Sequence, residues 1–407
     1  MTEHWLALSL KSNLTGILIL SVIFISCILP LTLSFLPQTM GLIGAAVLYK
    51  RMGRKIFAPL SKAHLVLLLI PILTMASSIW SITPESSLIR SLKISGEILS
   101  FFPLYIFLYA LPDDTTSFIK KYLPVPLILG GTFLAIELVL DFPISRILRP
   151  SHTEFSTWEL NKSVAVFILM TPLALITTLI PFKKANWKHY RLPLLLLIPA
   201  AFILSATASQ SAQLSVIAMI VALIGMIKLP RLALPLCFGT VILLFSIFPW
   251  VTTPLYKSFA KESDQVQILK DASTSTRLEV WDFVADKIHE NPWTGFGIDT
   301  TRIIQFDYPM VYYWDTSIMH PHNAPLQLWI EFGALGALLA DTLLLTLFLS
   351  IRRRPLAAQI LPTVVFSGIL IFLILSWSLW SSWLIGLMIF LTCIMSSLNK
   401  PPEPSAH

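Results

Sequence analysis

Charge is what this sequence has least of. Only 13% of its 407 residues are Asp, Glu, Lys or Arg, against 55% hydrophobic residues. A soluble domain carries about 25% charged residues. So sparse a set cannot coat a water-facing surface of this size, which excludes a soluble globular enzyme and a disordered chain. Glycine is scarce as well, at 15 residues, and excludes collagen-like or Gly-rich repeats. Cysteine is scarcer still. Cys27, Cys237 and Cys393 sit apart inside apolar blocks with no CxxC, so they read as small core hydrophobes and not as disulfides or metal ligands. No small-residue cleavage pattern follows the first apolar block, so that block reads as a retained segment.

What is abundant is apolar sequence in long runs, the mark of a polytopic helical membrane protein. Twelve candidate spans can be drawn between Leu14 and Met395. Pro30 separates the first two, and a polar kink at Ala206-Thr-Ala-Ser-Gln-Ser joins the short seventh and eighth. The ninth ends at Trp250, the tenth opens at Ala324, and Trp377, Trp380 and Trp383 form an aromatic belt between the last two. The net charge of +7 fits basic cytoplasmic loops better than nucleic-acid binding. With the N-terminus inside, every short cytoplasmic loop is basic and most of the 29 Lys and Arg fall on that side. The expected organisation is a membrane bundle over 1–250, an outer loop over 251–322, spans ten to twelve over 323–398 and a cytoplasmic tail over 399–407.

The 251–322 loop is the one large polar segment, and long loops in compact proteins tend to be functional. Thr276-x-x-Glu279 reads as a capping box opening a helix, and Leu278, Trp281, Val284 and Ile288 recur at helical spacing. Asn291-Pro292 should end that helix, and Gly295-Phe-Gly297 should turn the chain. Asp264, Asp271, Asp282, Asp286 and Asp299 read as solvated loop charges. Glu331 lies inside the tenth span and is expected to pair with a base, while Glu97 and Glu137 read as partners for Arg90 or Lys93. A polar knot, His320-Pro-His322-Asn323, opens the tenth span, with Gln327 one turn further on. Imidazole can exchange a proton near neutral pH without help.

The ordered set Arg277-Leu-Glu-Val-Trp281, Pro292-Trp-Thr-Gly295-Phe-Gly297 and His322-Asn-Ala-Pro-Leu326, followed by Glu331-x-Gly333-x-x-Gly336, resembles the O-antigen ligase family. That family is related to O-antigen polymerases and to pilin O-oligosaccharyltransferases. Trp80-Ser-x-x-Pro84 and Asn161-Lys162 are weaker echoes. The resemblance implies an all-α, glycosyltransferase-C-like membrane protein of about twelve spans with a large periplasmic loop containing short helices, in the bacterial inner membrane with both termini cytoplasmic. It implies a metal-independent, inverting transfer of a glycan from undecaprenyl pyrophosphate to lipid A–core or another glycan acceptor, without cofactor or nucleic acid and among membrane lipids. By motif the catalytic residues fall on His322 and Arg277, with His320 an alternative base. A further family Arg, after a Ser at the start of the eighth span, is here Gln210 within Ser209-Gln210-Ser211, so this chain departs from the pattern there. Arg302, Asn323, Gln210, Lys162 and Trp281 complete the expected substrate-binding set, Trp281 more readily as a packing anchor than as a sugar platform, and Arg90 or Lys93 are other substitutes for the missing cation. Polymerase and protein O-oligosaccharyltransferase share this chemistry. A twelve-span transporter is the alternative from another class, suggested by the basic central link of Lys183 to Arg191.

Overall fold

The computed structural model describes residues 13–148, 154–179, 191–207, 209–271, 273–306, 309–313, 315 and 317–400. Of the charges used for orientation, Lys11, Lys183, Lys184 and Lys188 lie outside them, as does most of the expected tail. The described residues are helical, with no strand beyond one isolated bridge between Gln305 and Ser317.

Eight helices among the described residues are long and apolar enough to cross a membrane, and four shorter apolar helices accompany them. In chain order they are α1 Asn13–Ile28, α2 Pro30–Phe57, α3 Lys62–Ser77, α4 Pro84–Tyr109, α5 Asp113–Val139, α6 Thr157–Thr177, α7 Arg191–Ala206, α8 Gln210–Lys228 and α9 Ala233–Gln265. The loop helix α10 is Thr274–Glu290. Then follow α11 Ala324–Arg352, α12 Leu356–Leu375 and α13 Ser382–Leu398. The short helices are α1, α3, α7 and α13, and each coincides with one of the runs read as a span.

α9 does not stop at Trp250. It runs fifteen residues further, to Gln265, through Pro249 and Pro254. At 1.5 Å per residue its 33 residues span about 50 Å, more than the ~30 Å hydrocarbon layer. The expected boundary at 250/251 therefore falls inside one continuous helix. The extension serves as a wall for α10, whose Trp281 ring meets Phe248 edge-on at 5.5 Å. Leu278, Trp281, Val284 and Ile288 are all buried, so the periodic face of α10 packs on the bundle.

Two features of α10 differ from expectation. The helix begins at Thr274 after Ser273, which sits at φ 52° and makes no side-chain cap. Thr276 is thus already inside the first turn and donates instead to the Tyr312 carbonyl at 3.3 Å. Glu279 reaches away from the helix end altogether, as described below. Elsewhere, Glu137 does not pair with Arg90 or Lys93. Its buried carboxylate accepts from Ser145 Oγ and from the backbone N–H groups of Ile144 (2.8 Å) and Ser145 (3.1 Å), capping the short helix Pro143–Leu148.

The junction that builds the site is a break in α11. Gly333 has φ 58°, ψ −145°, so Ala334 and Leu335 cannot donate to their helical acceptors. Their N–H groups bond the carbonyls of Pro292 (2.8 Å) and Trp293 (3.4 Å). The vacated carbonyls of Ile330 and Glu331 accept from Phe296 (2.9 Å) and Gly297 (2.8 Å). Four backbone groups exchange partners without loss, as a buried helix break requires. Such an approach excludes side chains: a Cβ at Gly295 would lie 2.5 Å from the Glu331 carbonyl carbon, and one at Gly333 2.4 Å from that of Trp293. The turn after α3 docks on the same strip. Trp80 Nε1 donates to the Thr294 carbonyl (3.0 Å) and Ile82 N–H to that of Phe296 (3.1 Å). Three motif fragments far apart in sequence thus form one backbone-bonded platform.

Candidate active site

His322 stands on that platform, one residue before the N-cap of α11. Asn323 Oδ1 accepts from Leu326 N–H at 3.0 Å, and its buried Nδ2 has no hydrogen-bond partner among the described residues. His322 itself has φ 52°, a left-handed conformation that side chains tolerate only when their surroundings impose it. Those surroundings are specific. Trp281 Nε1 donates to the Pro321 carbonyl at 2.8 Å, fixing the preceding residue. The His322 ring bonds through Nδ1 to the carbonyl of Ser376, in the turn between α12 and α13. A carbonyl only accepts, so Nδ1 carries the hydrogen and Nε2 keeps its lone pair.

That turn is itself held by α11. Gln327 Oε1 accepts from Leu379 N–H (3.0 Å), and Gln327 Nε2 donates to Ser378 Oγ (3.0 Å). Glu331, wholly buried, accepts from Trp380 Nε1 (2.6 Å), Gln327 Nε2 (3.1 Å) and Thr301 Oγ1 (3.4 Å). It pairs with no base among the described residues. Neutral donors satisfy it, and it ties the two turns that flank the histidines to α11.

Arg277 lies one helical turn before Trp281 on α10. Its guanidinium is half-buried and makes no ion pair or side-chain hydrogen bond among the described residues. Burial lowers its pKa, yet a guanidinium stays charged at any relevant pH. Its field reaches His322. Burial of the ring, which leaves one side open to solvent, holds the His322 pKa below the ordinary histidine value. The Arg277 charge lowers it further, and the Ser376 carbonyl opposes both. His320 stacks on His322 with ring centroids 4.1 Å apart, and its buried Nε2 has no hydrogen-bond partner among the described residues. Burial, then the neighbouring His322, and lastly Arg302 push its pKa down to about 3, against the opposing Ser376 carbonyl. Both imidazoles are therefore neutral at pH 7.

Arg302 lies on the His320 side. It donates to Asp299 Oδ1 at 2.7 Å, and Asp299 Oδ2 lies 3.7 Å from Arg90 Nε. Arg90 also donates to the Trp380 carbonyl at 2.7 Å. Asp299 is thus not a solvated loop charge but a single carboxylate shared by two guanidiniums. Lys93 is exposed on α4, and Glu97 shares its helix face near Ser382, Lys93 and Arg90.

The structure therefore gathers His322, Arg277, Asn323 and Trp281, with Arg302 beside His320. Lys162 lies in the first turn of α6, and Gln210 opens α8. Trp281 is 8% exposed, with its ring on Phe248 and its N–H on Pro321, so no face is open for a sugar. Sequence reasoning missed Glu279. Its buried carboxylate accepts from the N–H groups of Val311 (2.5 Å), Tyr312 (2.8 Å) and Tyr313 (2.9 Å), and Tyr256 Oη lies at 3.5 Å. The neighbours of Glu279 at helical spacing, Ser275, Thr276, Asp282 and Phe283, are mostly polar, so the sequence held no signal for this burial. Among the described residues no three His, Cys, Asp or Glu side chains gather as a metal site would require.

Fold and site together define a multi-pass helical membrane protein with two neutral imidazoles near a guanidinium that has no ion pair among the described residues. The O-antigen ligase family model matches residues 194–340, from α7 through the loop to the middle of α11. Over a wider span the chain is similar to rickettsial proteins named "Putative polysaccharide ligase". It is 24% identical over 335 residues to that of Rickettsia conorii, covering 77% of each chain. It is 25% identical to that of Rickettsia bellii, covering 80% of this chain and 78% of the other, and 24% identical to that of Rickettsia prowazekii with the same coverage.

Proposed function

We propose that this chain is a glycan ligase of about twelve spans. It moves a sugar chain from undecaprenyl pyrophosphate to an acceptor hydroxyl on the periplasmic face of the bacterial inner membrane, with lipid A–core as the acceptor. The observation that carries this reading is the half-buried Arg277 guanidinium, which lacks a carboxylate partner among the described residues and faces a histidine whose Nε2 is left unprotonated. A half-buried cation without a counter-ion among the described residues calls for an anionic ligand, and the planar guanidinium matches phosphate.

The chemistry follows from those two groups. His322 Nε2 takes the proton of the acceptor hydroxyl as its oxygen attacks the anomeric carbon. The bond from that carbon to the diphosphate oxygen breaks, and the leaving diphosphate keeps the electron pair. Arg277 stabilises the charge that develops there, with Arg302 as a second cation on the other side of the histidine pair. Direct displacement inverts the anomeric centre. The diphosphate is already a good leaving group, so no second acid is needed. The imidazolium then returns its proton to water.

The test is the lipopolysaccharide gel of a strain deleted for this gene. Loss of all ladder bands, with carrier-linked polymer accumulating, is the expected result. A single-repeat band would assign polymerase activity instead, and an unchanged ladder with altered solute uptake would assign transport.

A further inference from the structure

We propose that Glu279 is a positioning residue for the base: by fastening the backbone at Val311–Tyr313 to α10, it holds the chain segment that delivers His320 and His322 to Arg277. Its effect on turnover rests on the glycan-transfer reading; its effect on the segment does not.

The geometry is that of a strap fixed at two points. α10 carries Arg277, Glu279 and Trp281 within a little more than one turn. Glu279 anchors residues 311–313 through three backbone N–H groups, and Trp281 anchors residue 321 through the Pro321 carbonyl. His320 lies between the two anchors and His322 one residue beyond the second. One rigid helix thus presents the cation and sets the start and end of the stretch that bears the imidazoles. The arrangement matters because His322 is held at φ 52°, a conformation that persists only while its neighbours over-determine it. The His320 ring adds a stacking constraint at 4.1 Å. Without Glu279, three consecutive backbone N–H groups lose their acceptor, and the link from this end of the strap to α10 falls to the 3.3 Å bond from Thr276 to Tyr312 and apolar packing of the tyrosine rings.

Reach and charge can be separated. Glu279→Asp keeps the charge but withdraws the carboxylate by one methylene. Glu279→Gln keeps the reach and one acceptor oxygen but loses the charge. If Glu279 acts through the segment, Asp is the more damaging change. If it acts as an electrostatic counterweight to Arg277, Gln is.

The experiment uses full-length protein in lipid nanodiscs, with Glu290→Gln on the same helix as the control. Amide hydrogen exchange of residues 311–313 and diethyl pyrocarbonate modification of His320 and His322, mapped by mass spectrometry, need no substrate. Transfer from undecaprenyl pyrophosphate-linked N-acetylglucosamine gives kcat and KM. The wild type and Glu290→Gln should protect 311–313 and modify slowly. Glu279→Asp should exchange about 100-fold faster at 311–313, expose both histidines to the reagent, and lower kcat about 100-fold with KM within about twofold. Glu279→Gln should fall between. Unchanged exchange and modification in Glu279→Asp would overturn the proposal whatever the activity. So would loosened exchange with unchanged kcat, or a larger loss for Gln than for Asp. Loosened exchange and faster modification in a protein whose wild type transfers nothing would leave the strap standing and remove the glycan-transfer reading instead.

Discussion

A histidine serves as base only while its ring is neutral, and both imidazoles at this site are kept neutral by their surroundings. The His322 pKa lies below the ordinary histidine value because of burial and Arg277. The acid limb of turnover is therefore expected below pH 6.5, and a pH–rate profile of the purified protein checks it. In Arg277→Gln the positive field is gone, the imidazolium is easier to form, and the acid limb should move to higher pH while turnover drops about 100-fold or more. His320, held at about 3, makes a stability claim as well. Unfolded, it takes up a proton near pH 6.5. Folded, it refuses one until about pH 3. Between those values the unfolded chain binds more protons, so stability falls as pH drops through that window. His320→Phe should flatten this acid slope in denaturation measured from pH 7 to pH 4, while an unchanged slope would assign it to other groups. Tyr313, outside the spans, is pushed up by burial and by Asp315, so it adds no charge change there.

At the scale of elements, the glycines of α11 and of the 292–297 strip carry the argument. Gly333→Ala must place a Cβ 2.4 Å from Trp293 at φ 58°. A cost of about 1–3 kcal/mol from the backbone strain alone is expected, and the clash adds to it. Thermal unfolding of the purified variant should show a clear loss, larger than for Gly96→Ala, where a Cβ meets nothing within 4 Å. Much of this scale was legible in the sequence. The periodicity of α10 named its buried face, Asn291-Pro292 marked its end, and each apolar run became a helix. What was not legible depended on partners distant in sequence. Thr276-x-x-Glu279 fits a capping box locally, yet the carboxylate is claimed by the backbone of 311–313, which no spacing rule reaches. Asp299 and Glu331 looked like a solvated charge and half of an ion pair. Folding placed two guanidiniums on the first and an indole, an amide and a hydroxyl on the second. His322 and Arg277 stood out as candidates in the sequence because an imidazole and a guanidinium near an apolar boundary have few structural uses.

At the scale of the whole molecule, the turns at 78–83 and 376–381 and the loop around the histidines lie at one end of the bundle, bonded to one another. The glycan-transfer reading requires that end to face the periplasm. Trp293 is 74% exposed at that end, and Leu229 is 52% exposed in the turn between α8 and α9 at the opposite end. Single cysteines at these two positions, in a background where the three native cysteines are serine, should react with a membrane-impermeant maleimide from opposite sides of intact inner membranes, position 293 from the periplasmic side.

The central claim is that His322 deprotonates the acceptor. The most direct measurement is single-turnover transfer by purified protein in nanodiscs, with an anomerically defined undecaprenyl pyrophosphate-linked glycan and lipid A–core, comparing wild type with His322→Ala. An inverted linkage from the wild type, and a rate at least about 100-fold lower from the variant with donor binding retained, is the expected result. Retained anomeric configuration, or full transfer by His322→Ala, would contradict it.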